Sequence, residues 1–145
     1  MPDFMSPEKR SYVMSCIRST NTKLERCLGS LMHRAGLRYR KYVKTLPGKP
    51  DFVFFRLRIV VFVDGDFWHG WRFPQWEHKL TPYWHEKIAK TRARYKRNFA
   101  KLRRQEWTVI RVWEHQLKRD PDGVLKRVLQ VVVEKNKFKL QQTGP

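Results

Sequence analysis

Acidic side chains are scarce in this chain, 13 Asp and Glu against 32 Lys and Arg, so their positions are informative. Two aspartates bracket a pair of apolar runs: Asp51 opens the run ending at Phe55, and Asp64 follows the run from Ile59 to Val63. If those runs pair as a hairpin across the basic turn at Arg56 to Arg58, both carboxylates arrive on one edge of a sheet. Paired carboxylates are the hard oxygen ligands that Mg²⁺ takes. His69, five residues beyond Asp64, is placed to move a proton. In a basic surround such a set performs metal-assisted phosphodiester hydrolysis. Plainer readings exist for each residue. An aspartate at a strand end can cap a backbone group, and a lone loop histidine is ordinarily solvated. Glu25 is a further candidate, but it is also the third helical residue of the capping box Thr22-Lys23-Leu24-Glu25, which alone explains a glutamate there. Both readings of Glu25 stand at this point.

The elements that must position these groups follow from periodicity and punctuation. Ser6-Pro7-Glu8 starts a helix running to about Arg18. The capping box opens a second helix with Leu24, Leu28, Leu31 and Ala35 on one face, stopped by Gly36. Leu37 to Val43 alternates loosely as a strand, Leu46-Pro47-Gly48 is a turn, and Asp51 to Phe55 and Ile59 to Val63 are adjacent strands. Between Asp64 and Pro82 periodicity disappears and aromatic residues crowd in: Phe67, Trp68, Trp71, Phe73 and Trp76. A loop of that length in a small chain is more often functional than idle. Phe67 and Trp68, next to the carboxylates, suit DNA contact by stacking or wedging, whereas Trp71 and Trp76 suit packing. Thr81-Pro82 starts a helix to about Gln105, with Trp84, Ile88, Tyr95, Phe99 and Leu102 as its apolar face. Its Lys87, Lys90, Arg94 and Arg97 belong to a run from 87 to 104 that contains no acid and suits phosphate contact. Trp107 to Trp113 is a strand. Asp120-Pro121-Asp122-Gly123 begins a last helix with Val124, Val128, Val131 and Val132 as its stripe. The chain reads as an α/β fold, one mixed β-sheet flanked by helices on both sides. It forms a single domain over 1–136, with a polar, frayed tail over 137–145.

Bulk composition narrows the function classes. The 145 residues suit one domain, and 41% hydrophobic content supports a core. A formal charge of +19 draws polyanions, nucleic acid first among them. No apolar run approaches a membrane span. The first residues carry no secretory signal, and Cys16 and Cys27 frame no disulfide scaffold. Both point to an intracellular setting, with each cysteine a small helix residue facing the protein interior.

These motifs together resemble the very short patch repair (Vsr-type) DNA mismatch endonucleases, a branch of the restriction-endonuclease-like PD-(D/E)xK nucleases. The matching stretches cover about residues 10 to 115. They run from Arg10-Ser11-Tyr12-Val13-Met14-Ser15-Cys16-Ile17-Arg18-Ser19 through Asn21-Thr22 to Glu25, and on to Leu46-Pro47-Gly48-Lys49-Pro50-Asp51-Phe52. They continue in Phe62-Val63-Asp64-Gly65 with Phe67-Trp68-His69-Gly70, then Tyr83-Trp84 with Lys87-Ile88. They end in Trp107-Thr108-Val109 and Val112-Trp113-Glu114. The resemblance implies a Mg²⁺ site with Asp51 as the main ligand and the Val63 carbonyl as another, and Asp64 is added to that set. It implies His69 as the catalytic histidine and Glu25 as a further active-site residue. Phe67, Trp68 and Trp84 would form an aromatic wedge entering double-stranded DNA beside a T:G mismatch. The implied activity is nicking 5′ of the mismatched thymine, by a monomer in the bacterial cytoplasm on the nucleoid, ahead of mismatch-repair proteins.

The chain departs from the family pattern in several places. Asp66, Trp71 and His115 stand where the family's structural-zinc cysteines often fall, so no zinc is expected and tryptophan packing should hold the loop. A set of Asp66, His78 and His115 is the weak alternative for a zinc. Thr91 and Tyr95 replace Asn and Asp, Asp64 occupies a position that can be His, and Phe62-Val63-Asp64 stands in place of the acidic-x-Lys element. Two rival functions follow: a nuclease of this fold with another DNA target, in phage defence or a mobile element, and a non-catalytic basic nucleic-acid-binding protein.

Overall fold

The structure, a computed structural model, describes residues 23–143. The expected helix at Ser6 to Arg18, Cys16, and the Thr22 half of the capping box lie outside them. In chain order the elements begin with α1 (Lys23–Arg34), β1 (Arg40–Lys41), β2 (Phe52–Phe54) and β3 (Ile59–Asp64). They continue through α2 (Phe73–Trp76), a 3-10 turn (Glu77–Lys79), α3 (Pro82–Arg104), β4 (Thr108–Trp113), α4 (Glu114–Arg119) and α5 (Pro121–Thr143).

The sheet runs β1-β2-β3-β4. β2 and β3 pair antiparallel with Phe52 opposite Val61 and Phe54 opposite Ile59, the hairpin that the two apolar runs predict. β4 lies parallel to β3, with Asp64 opposite Trp113. Every residue of β2 and β3 is buried, which is why both read as unbroken β-branched and aromatic runs rather than as alternating ones. Alternate residues still part to two faces. Phe52, Phe54, Ile59, Val61 and Val63 join Leu28 and Met32 of α1 and Val124, Val128 and Val132 of α5 in one core. Val53, Val60 and Phe62 join Phe99 and Leu102 of α3 in the other. Each such side chain contributes about 1.5–3 kcal/mol by leaving water. By the same alternation Asp51, Asp64 and Arg111 fall on the α3 face.

Several expectations are corrected. The fully buried stripe of α1 is Glu25, Leu28, Gly29 and Met32; of the expected Leu24, Leu28, Leu31 and Ala35 face, Leu24 packs part-buried on the same core and Ala35 is exposed. Gly29 sets the rotation: a Cβ there would stand 3.2 Å from the Tyr39 hydroxyl and 3.3 Å from the Phe52 ring, so the helix seats its bare backbone on the sheet. That rotation leaves Cys27 exposed instead of interior. The first strand shrinks to Arg40–Lys41. The tail expected to fray after Asn136 is helical to Thr143, where Lys139 donates to the carbonyl of Arg56 in the β2–β3 turn. α4 was not anticipated. It opens with the Gln116 side chain accepting the Trp113 N–H at 3.0 Å. Among the described residues no helix is long and apolar enough to cross a membrane.

Candidate active site

The end of the β2–β3 hairpin gathers three buried carboxylates: Glu25, Asp51 and Asp64. Asp51 precedes β2, and its Oδ2 accepts the Val63 N–H at 2.7 Å, which ties it to the end of β3. Glu25 reaches the same place from α1 and shares a hydrogen bond with the Asp51 carboxyl. Two carboxyls that close must share a proton or a cation. Burial is the main cause that lifts Asp51 well above the usual carboxylate range. The bond from Val63 opposes the rise, and the nearby Glu25 and Asp64 charges add to it. Glu25 is therefore turned into the site. Its capping role is untested, because Thr22 lies outside the described residues.

Asp64 is balanced differently. Its Oδ2 takes the Arg111 Nε–H at 2.6 Å, and its Oδ1 lies 3.4 Å from His69 Nε2. Burial raises its pKa to about 6 in spite of Arg111, so at neutral pH it is an ionised partner of the guanidinium. Arg111 was missed by the sequence reading. The available signal was a lone charge inside the apolar strand Thr108–Trp113. Its guanidinium sits 4.1 Å from the Trp113 ring centre and 5.0 Å from that of Phe99.

His69 lies within the bend 65–70, where its N–H bonds the Gly65 carbonyl at 3.1 Å. Its ring meets Tyr95 edge-on, centroids 4.4 Å apart. Burial first, then Arg111 and Arg94, lower its pKa to about 3, so the imidazole is neutral. Nδ1 is buried with no hydrogen-bond partner among the described residues. Because Nε2 faces a carboxylate, Nε2 is assigned the proton and Nδ1 the lone pair. Burial, then Asp64, pushes the Tyr95 hydroxyl up to about 12. Gly70 has φ +69°, and a Cβ on it would overlap Arg92 of α3, so the bend admits glycine alone.

The aromatic loop is a small core of its own. Phe67 stacks on Trp76 at 5.8 Å, Trp76 Nε1 donates to the Trp71 carbonyl at 2.8 Å, and Phe67 and Trp68 both rest on Trp84. Trp71 and Trp76 pack, as expected. Trp84 requires a correction for this unbound form: it is 0% exposed, and it forms the floor beneath Phe67 and Trp68 instead of presenting a surface to DNA. Its place on the inward face of α3 is the reason.

Lys87 lies over the Trp68 ring at 5.5 Å. Arg94 lies over Tyr95. Lys90 is exposed and pairs with Glu86 at 2.8 Å. Arg97 is exposed. Asp66 and His115 meet at hydrogen-bond distance, Oδ1 to Nδ1 at 2.8 Å, under the Trp71 ring at 4.0 Å. His78 does not join them. Among the described residues no three His, Cys, Asp or Glu side chains are grouped to hold a metal. An ion beside Asp51 would therefore complete its shell with backbone carbonyl and water, the usual habit of Mg²⁺. The Asp51–Glu25 pair, hard oxygens with one proton too many at neutral pH, fits such a cation.

Comparison with known proteins decides the family. The model of the family described as DNA mismatch endonuclease Vsr matches residues 2–75. The Type II nicking enzyme V.XorIIP of Xanthomonas oryzae pv. oryzae is 44% identical over 119 residues, spanning 81% of this chain and 88% of its own. The chain belongs to the Vsr family of DNA endonucleases. Two further Vsr relatives are similar along most of their length. The DNA mismatch endonuclease Vsr of Escherichia coli (strain K12) is 36% identical over 123 residues, covering 81% of this chain and 77% of its own. The Type II nicking enzyme V.NmeDIP of Neisseria meningitidis serogroup C is 33% identical over 147 residues, covering 97% of each. The expectation of a Vsr-type endonuclease on a mixed α/β sheet is borne out.

Proposed function

We propose that this Vsr-family chain is a Mg²⁺-dependent enzyme that nicks duplex DNA beside a T:G mismatch. The observation that carries the reading is the convergence of Glu25, Asp51, Asp64 and His69 at one sheet end, with Phe67 and Trp68 just ahead of His69 in the chain. Asp51 and the Val63 carbonyl, with Glu25 beside them, are the groups that would hold the ion. Asp64, committed to Arg111, is a weaker ligand than the sequence suggested. When bound, the ion supplies Lewis acidity at the phosphate and lowers the pKa of water.

The chain's own groups do the rest. His69 acts as general acid or base at the phosphate. A phosphodiester bound beside Arg94 and Arg111 offsets the two charges that depress His69 and so makes it a stronger base. Phe67 and Trp68 stack on or wedge between bases, while Lys87, Arg94 and Arg97 hold phosphates. The enzyme acts as a monomer, since an asymmetric lesion needs no two-fold reader. In this reading it works in the bacterial cytoplasm on the nucleoid and passes its nick to mismatch-repair proteins. No structural zinc is part of the reading.

End-labelled duplexes that differ only in one T:G or T:A pair test it, with Mg²⁺ and with EDTA. Nicking of the T:G duplex alone, and only with Mg²⁺, is expected. Equal cutting of both duplexes would move the function to another DNA target, a second reading favoured by the relatives named as nicking enzymes. The wedge carries its own prediction. Because Trp68 is half-exposed, Trp68→Ala should weaken duplex binding by about 1–3 kcal/mol, the worth of one stacked base. Its urea midpoint should stay near that of the wild type. Unchanged affinity by fluorescence anisotropy would exclude Trp68 from the DNA interface.

A further inference from the structure

A cavity of about 490 Å³ lies between the outer face of α1 and the edge strand β1, on the sheet face opposite α3. Arg26 and His33 of α1 and Arg38 and Lys41 beside and on β1 line it, and among the described residues no acidic side chain does. All four cationic or ionisable side chains are exposed. None is in a salt bridge with any other described residue. The floor is rigid: the Tyr39 hydroxyl donates to the Gly29 carbonyl at 2.7 Å, and the Tyr39 ring stands edge-on to Phe52 at 5.0 Å.

The cavity starts beside the catalytic carboxylates. Arg26 follows Glu25, Lys41 lies opposite Phe52, and the next residue, Tyr42, donates its N–H to the Asp51 carbonyl at 3.1 Å. From Arg26 to His33 the helix advances about 10 Å. At an axial rise of about 3.4 Å per nucleotide, a groove of that length laid along the duplex axis spans about three nucleotides.

We propose that this cavity is a phosphodiester site that holds the DNA strand flanking the cut, so that the duplex is gripped from both faces of the sheet. The inference rests on the reading of the chain as a duplex endonuclease. The chemistry is that of an unneutralised cationic groove with polar Ser30 at its wall, suited to backbone contact without base readout. A free phosphate or mononucleotide would offer the same anion, and the test separates the two sources.

The variant Arg38→Gln/Lys41→Gln changes two exposed residues outside the catalytic group. Duplex binding is measured by fluorescence anisotropy in EDTA from 50 to 200 mM KCl, with the urea midpoint as a check on folding. Log affinity against log salt should flatten by about 2, one unit for each lost phosphate contact. A duplex carrying neutral methylphosphonate linkages beside the cut should bind the wild type more weakly than the native duplex does, and should bind the variant no more weakly than the native duplex does. The same slope and affinity in both proteins would overturn the proposal. So would calorimetric binding of inorganic phosphate or a 5′-mononucleotide that needs Arg38 and Lys41 but leaves duplex binding undisturbed. A wild type that binds no duplex would instead sink the endonuclease reading itself.

Discussion

Asp51→Asn will leave a folded protein that no longer cleaves DNA. Loss of even an outer partner of a metal site costs about 10–100-fold, so removal of the main ligand should lower the single-turnover rate by more than about 100-fold. Stability should move the other way. Asp51 is buried against Glu25, and the amide removes the cost of ionising that carboxyl as pH rises.

The pH dependence carries the signature. A carboxyl whose pKa is raised on folding contributes stability below its unfolded value and loses it as pH rises. His69, depressed to about 3, works in the opposite sense between pH 3 and its ordinary value of 6.5. Above 6.5 it is neutral in both states, and Asp64, pushed only to about 6, is largely ionised. From there upward Asp51 is the site group that still titrates. Wild-type stability without Mg²⁺ should fall with pH there, at most about 1.4 kcal/mol per unit. Mg²⁺ should restore it, and Asp51→Asn should show neither effect. Thermal melts between pH 6.5 and 9, with Mg²⁺ and with EDTA, check this. A wild-type curve that is flat and indifferent to Mg²⁺ would remove Asp51 from the metal site.

The second large effect is on folding. Arg111→Gln strands the Asp64 charge, which is only 2% exposed. Breaking a buried pair by removing one partner costs about 3–5 kcal/mol. Because Arg111 keeps some access to solvent, about 3 kcal/mol is expected, a large share of the roughly 5–15 kcal/mol that holds a domain together. The melting point should drop by roughly 6–12 °C. Adding Asp64→Asn should bring stability back to within about 1 kcal/mol of the wild type, since the penalty lies in the orphaned charge and not in the lost attraction. Urea denaturation of the two single variants and the double variant decides it. Independent, additive losses would mean that the pair is not coupled.

The hairpin was legible because its code is local: two unbroken apolar runs, a short basic turn and an aspartate at each outer end. That pattern alone brings Asp51 and Asp64 together. α3 was legible for a similar reason, with Pro82 at its first turn and an apolar row at helical spacing. What escaped depends on tertiary neighbours. Glu25 could not be assigned because one pattern, the capping box, explains it without the fold. Only the seating of α1 through Gly29 turns Glu25 inward, and that same rotation exposes Cys27. Arg111 belongs to a strand far along the chain from Asp64, so no local spacing joins them. Trp84 was assigned to DNA by resemblance, while its helical face had already marked it as interior. The groove between α1 and β1 is built from two segments, neither of which is unusual alone.

The parallel pairing of β3 with β4 has a kinetic consequence. It joins Ile59 to Thr108, and His69, Phe67, Trp68 and all of α3 lie within the connection. The hairpin closes a short loop and can form within microseconds, which brings Asp51 to Val63 early. The β3–β4 ladder must close a far longer loop before its contacts give any return. Arg111 therefore joins Asp64 only when β4 docks. Until then the ligand end of the hairpin exists without its guanidinium counter-charge and without the histidine seated against Tyr95. Completion of the site is thus tied to a long-range step of folding, and a chain in which β4 has not docked holds the carboxylates without their guanidinium partner.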